Sequence, residues 1–86
     1  MSLPPWAEPL RVALDATTFE LIDDSAAHAG HAGAKEGGHY KLRVVSPRFT
    51  GLSRVARHRL IYDALGSLPA QRIHALNLLA LAPNED

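Results

Sequence analysis

The chain has 86 residues, nine basic and nine acidic side chains, five His and no Cys; 47% of it is hydrophobic and 21% charged. That length allows one domain and no second core, and the balance of apolar to charged residues excludes a disordered or collagen-like chain. The lack of Cys excludes disulfides, a thiol nucleophile, and any zinc or iron–sulfur site built on the chain's own thiolates.

No apolar run approaches the ~20 residues needed to cross a bilayer. The opening Met1-Ser2-Leu3-Pro4-Pro5-Trp6 lacks the basic-then-apolar layout of a secretion signal. A soluble, cytoplasmic protein without a membrane partner is expected.

Pro4, Pro5 and Pro9 forbid a long helix before residue 9, so residues 1–8 are expected to form a flexible N-terminus. Leu10, Ala13 and Leu14 then recur at helical spacing and predict a short helix over residues 8–15. Thr17-Thr18-Phe19-Glu20-Leu21-Ile22 is rich in β-formers and predicts a first strand. Residues 24–38 hold four glycines and predict a flexible loop joining two strands.

Residues 39–46 predict the second strand. Tyr40, Leu42 and Val44 alternate with Lys41 and Arg43, which sets one face toward a core and one toward water. Pro47 ends that ladder, and Ser46-Pro47-Arg48-Phe49-Thr50-Gly51 reads as a turn. A helix is expected over residues 52–65. Its apolar stripe is Leu52, Ala56, Leu60 and Ala64, widened by Val55, Ile61 and Leu65, while Arg54, Arg57 and His58 point outward and Arg59 can pair with Asp63. Gly66 stands where a glycine cap belongs.

Residues 72–81 are apolar on both faces and predict a third strand beside a parallel neighbour. The order α-β-β-α-β follows, as a single small α+β domain: a three-stranded mixed sheet with helices on one face.

Charge is unevenly spread. Lys41, Arg43, Arg48, Arg54, Arg57 and Arg59 fall within 19 residues that carry no acid. Such a stripe attracts phosphate or an acidic protein face, or is simply a solvated surface.

Three strings carry a family resemblance: His39-Tyr40-Lys41-Leu42-Arg43-Val44-Val45-Ser46-Pro47-Arg48-Phe49-Thr50-Gly51, then Arg57-His58-Arg59-Leu60-Ile61-Tyr62, then Ile73-His74-Ala75-Leu76. Together they resemble the BolA family, over about residues 10–85. The N-terminal helix departs from the family in being shortened and proline-rich. The resemblance implies a fold similar to the class II KH domain, in agreement with the order above. It also implies a monothiol glutaredoxin partner and a [2Fe–2S] cluster shared with that partner and glutathione. Some bacterial members are described instead as DNA-binding transcriptional regulators.

A chain without Cys can bring only nitrogen to such a cluster, as imidazole does in Rieske centres. His74 falls on the family's late His-Ala-Leu, which the resemblance marks as a ligand position. The second ligand is expected from the loop between the first two strands, where His28 matches best by spacing. His31 lies three residues on, and His39 matches the family's His before the aromatic residue; both stay as alternates. A free-standing zinc or copper site among these histidines lacks an ordered carboxylate-bearing frame. The partner or nucleic-acid surface is expected at Arg48, Phe49, Arg54, Arg57, His58 and Arg59.

For nucleic acid, KH domains clamp the strand with Gly-x-x-Gly between helices. Here Gly30-His31-Ala32-Gly33 lies in the strand-to-strand loop, and the corresponding turn has Gly51 alone. DNA would have to be held by the basic helix, against a sequence pI near 7. No nucleophile–base pairing, phosphate-cradling loop or carboxylate pair points to catalysis. Weak self-association stays open.

Overall fold

The structure is a computed structural model and describes residues 3–24 and 38–86. Helix α1 spans Ala7–Ala13 and starts from a proline turn, in which the Ala7 N–H donates to the Pro4 carbonyl at 3.0 Å. Trp6 and Ala7 are buried beside Leu10 and Leu14. Within the stretch 1–8 expected to be loose, Trp6 and Ala7 are therefore packed into the core: the prolines preset the chain direction, and the indole then offers a large apolar surface to bury.

Strand β1 (Thr18–Asp23) pairs antiparallel with β2 (Gly38–Val45), from Thr18 opposite Val45 to Asp23 opposite Tyr40. Strand β3 (Ile73–Leu81) runs parallel to β2, giving the sheet order β1-β2-β3. The expected α-β-β-α-β order and mixed sheet are therefore present. Of the loop expected over residues 24–38, residues 25–37 lie outside the described residues. Its two ends are tied: Asp24 N–H donates to the His39 carbonyl at 2.7 Å, and Gly38 N–H to the Arg72 carbonyl at 2.9 Å.

One sheet face is the core wall. Tyr40, Leu42 and Val44 of β2 join Leu76, Leu78 and Ala80 of β3 and Phe19 and Leu21 of β1. Helix α2 (Arg54–Leu65) packs over them with Ile61 and Leu65. Ser53 caps this helix by accepting from the Ala56 N–H at 3.1 Å, so it starts two residues later than the apolar spacing predicts. Gly66, at φ +84°, closes it with its N–H on the Tyr62 carbonyl.

The buried line of α2 is rotated from the expected one. Val55 and Ala64 are exposed and Leu52 lies before the helix, whereas Arg57 and His58 are half-buried on the Ile61–Leu65 side. Nor does β3 bury both faces: Leu79 is 52% exposed, and Ile22 on β1 is 58% exposed. Among the described residues no helix covers this second face of the sheet. Among the described residues no helix is long and apolar enough to cross a membrane.

Candidate functional site

The turn before β3 sets up the site. Arg72 takes a left-handed conformation at φ +59°, its N–H bonded to the Pro69 carbonyl, and Ile73 N–H reaches back to Leu68 at 2.9 Å. Gly38 then pairs with Ile73, but His39 pairs with Ala75. Two steps on β3 match one on β2, so His74 is the surplus residue of a β-bulge. Bulges re-aim side chains and recur beside functional sites. Here the bulge resets the alternation, so that Ile73 and Leu76 both face the core while His74 is exposed.

His74 meets His39. Their ring centroids lie 4.9 Å apart at an interplanar angle of 50°. His39 is half-buried and held on both sides, through its carbonyl on Asp24 and through its place in the ladder. A groove of about 390 Å³ is lined by Leu68, Pro69, Ile73 and His74. A smaller hollow of about 150 Å³ takes in Asp24, His39, Tyr40, Lys41 and Asn77. Lys41 Nζ stands 3.9 Å from the Asp24 carboxylate. Burial first, and the Asp23 carboxylate second, push the Tyr40 phenol upward, keeping it neutral at physiological pH.

Of the four histidines proposed as ligands, the structure brings His39 and His74 together. His28 and His31 lie outside the described residues. Among the described residues no group of three or more His, Cys, Asp or Glu converges on one point. The pair thus offers two nitrogens and no complete coordination sphere.

The expected partner surface divides. Phe49 is fully buried, a correction to its place on that surface. Ser46 is equally buried; its hydroxyl donates to the Leu14 carbonyl and accepts from the Arg48 N–H at 3.0 Å. The Ser46-to-Phe49 turn (a 3-10 helix over Pro47–Phe49) ties α1 to the sheet. Arg48 is also spent on the fold, donating to the Ala13 carbonyl at the end of α1.

Arg57 does not point outward. Its side chain is 12% exposed, with Nε on the Leu52 carbonyl at 2.9 Å, Nη1 on the Ala80 carbonyl at 3.0 Å, and both Nη atoms on the Glu85 carboxylate. The Arg57 guanidinium, and then the Ala82 N–H, hold the Glu85 carboxyl down to about 2. Arg43 is likewise engaged, by Glu20 at 3.0 Å and by Asp86. Arg54 and Arg59 stay exposed, and the expected Arg59–Asp63 ion pair does not form. His58 is half-buried.

Sequence reasoning missed the bulge and the Arg57–Glu85 clasp. The bulge had a signal: Ile73 and Leu76 are three apart in a run where core residues otherwise fall two apart. The clasp had none, because a 28-residue separation carries no local periodicity.

Comparison with known proteins gives a consistent picture. The family profile described as BolA-like protein matches residues 10–85. The chain is 42% identical over 84 residues to SufE-like protein 1, chloroplastic/mitochondrial, of Arabidopsis thaliana, covering 91% of this chain and 23% of that protein. It is 39% identical over 71 residues to the DNA-binding transcriptional regulator BolA of Escherichia coli, covering 83% of this chain and 66% of the relative. The solved structure of BolA1 from Arabidopsis thaliana superposes with a TM-score of 0.81 at 33% identity, over 100% of this chain and 97% of that one. The curated relatives are thus longer than the stretch they share with this chain, fourfold in the plant case.

Proposed function

The chain belongs to the BolA-like family, and from that premise we propose that it is a non-catalytic iron–sulfur accessory protein, contributing two imidazoles to a [2Fe–2S] cluster shared with a monothiol glutaredoxin and glutathione. The observation that carries this reading is the His39–His74 pair: two rings 4.9 Å apart, one of them on a residue that the sheet does not need.

The donor set fits half a cluster. Two imidazoles on one iron, with thiolates on the other, is the Rieske arrangement, which raises the reduction potential. This chain has no thiolate to give, so the sulfur donors belong to the companion: the glutaredoxin Cys and glutathione. When bound, the cluster would supply one-electron chemistry and a transferable iron–sulfur unit. The chain's own part is to hold His39 by its backbone and to present His74 at the rim, each ring offering a nitrogen donor. His28 and His31 are the reserve donors. Exposed Arg54, Arg59 and Val55 offer a cationic, partly apolar wall to the acidic face of a partner.

The test is reconstitution with a monothiol glutaredoxin, glutathione, iron and sulfide. A visible-absorbing heterodimer is expected, with its spectrum altered by His74→Ala and by His39→Ala, and unaltered by His28→Ala or His31→Ala. A spectrum indifferent to both His74 and His39 would remove the proposal. A second reading, DNA binding, is supported by exposed Arg54 and Arg59 and by the name of the Escherichia coli relative. It predicts a salt-dependent shift of duplex DNA that survives His74→Ala and is lost when Arg54 and Arg59 become Ala.

A further inference from the structure

The imidazole pair depends on an empty space on the opposite face of β2. Gly38 opens that strand, and its backbone is outside the left-handed region, so no conformational demand requires glycine there. The demand is spatial. A Cβ at residue 38 would lie 2.5 Å from Cε2 of Tyr40 and 2.7 Å from its Cζ and Oη. The Tyr40 ring is folded back over the glycine and occupies the place of the missing side chain. It cannot readily yield, because Trp6 is buried against it edge-on, with ring centroids 5.2 Å apart and planes at 85°.

Gly38 is also the rung on which the bulge begins. It pairs with Ile73, its N–H is bonded to the Arg72 carbonyl, and the register shift that makes His74 the surplus residue falls between Gly38 and His39. We infer that Gly38 is a positioning residue for the imidazole pair: by admitting the Tyr40 ring, which Trp6 holds in place, it leaves the Gly38–Ile73 rung undisturbed, and so fixes His39 opposite His74. This rests on the reading that the two histidines act as a pair. Trp6 and Tyr40 belong to the core cluster, and the rung they leave intact is a backbone pairing.

Because Trp6 holds the Tyr40 ring in place, a side chain at residue 38 crowds it and parts the Gly38–Ile73 rung, so that the bulge shifts and His39 is displaced relative to His74. The experiment is NMR of the metal-free protein in wild type, Gly38→Ala, and Gly38→Ala combined with Tyr40→Leu. The readout is the inter-ring cross-peak between His39 and His74 and the ring chemical shifts at fixed pH.

Loss of the cross-peak is expected in Gly38→Ala, and its return in the double variant, where the smaller side chain makes room for the added methyl. In the reconstituted heterodimer the single variant should hold cluster about tenfold to a hundredfold more weakly, the range seen when outer supports of metal ligands are removed, again with recovery in the double variant. An unchanged cross-peak in Gly38→Ala overturns the inference. So does a double variant that folds with the pair still displaced, and this second variant decides the matter if Gly38→Ala alone does not fold. The imidazole readout needs no cluster: a wild type that assembles no cluster defeats the proposed function and leaves the positioning result standing.

Discussion

The two ends of β2 are built to different standards. At its C-terminal end, Ser46 and Phe49 are fully buried, the Ser46 hydroxyl bridges α1 to the turn, and Arg57 ties α2 to β3 and to Glu85. At its N-terminal end the ladder is interrupted by a bulge, and His74 stands exposed beside a half-buried His39. Both ends carry motif residues, yet one end packs them into the closure of the fold and the other sets two imidazoles side by side at a break in the ladder. Substitution should therefore sort the motifs by consequence: stability at the first end, ligand chemistry at the second.

The largest stability loss is expected for Phe49→Ala, about 3–5 kcal/mol for a fully buried aromatic side chain in a core that cannot collapse around it. Urea denaturation measures it, and the loss should come without a specific change at the histidines. A native-like midpoint would return Phe49 to the docking surface. Ser46→Ala should cost about 1–3 kcal/mol, because the Leu14 carbonyl loses a buried donor; the same titration reads it.

The Arg57–Glu85 clasp gives a smaller effect that depends on pH. Glu85 is held at about 2 in the fold against an ordinary value of 4.5. Its folded pKa is the lower of the two, so its stabilisation is present above 4.5 and is lost as pH falls toward 2. Melting curves across that window should show a fall that Glu85→Gln flattens; a slope unaltered by this substitution would mean that the carboxylate is solvated in solution. The smallest stability change, within about 0.5 kcal/mol, is expected for His74→Ala, because the residue is exposed and outside the core. The same variant should have the greatest effect on the cluster spectrum. A large destabilisation would make His74 structural and erase the contrast between the two ends.

Much of this was legible in the residues. The alternation of Tyr40, Leu42 and Val44 with Lys41 and Arg43 fixed which face of β2 is buried, and the parallel pairing followed from a helix lying between two strands. The rotation of α2 was not legible. Its rows of apolar residues run around much of the helix, and the choice of face was made by distant partners: Arg57 reaches the Ala80 carbonyl, which turns its stem inward. Trp6 was hidden by its neighbours, since prolines signal irregular backbone and say nothing of what a following indole can bury. At the site, His74 and His39 could be named separately from the family pattern, but their meeting required the register shift. A bulge is a property of two strands, and a single run of residues records only half of it.

Delete His74 on paper, and Ile73, Ala75, Leu76, Asn77 and Leu78 alternate inward and outward without a break. The inward–outward pattern of β3 thus runs through its core residues and skips this histidine, and the register shift turns a break in regularity into an imidazole set beside that of His39.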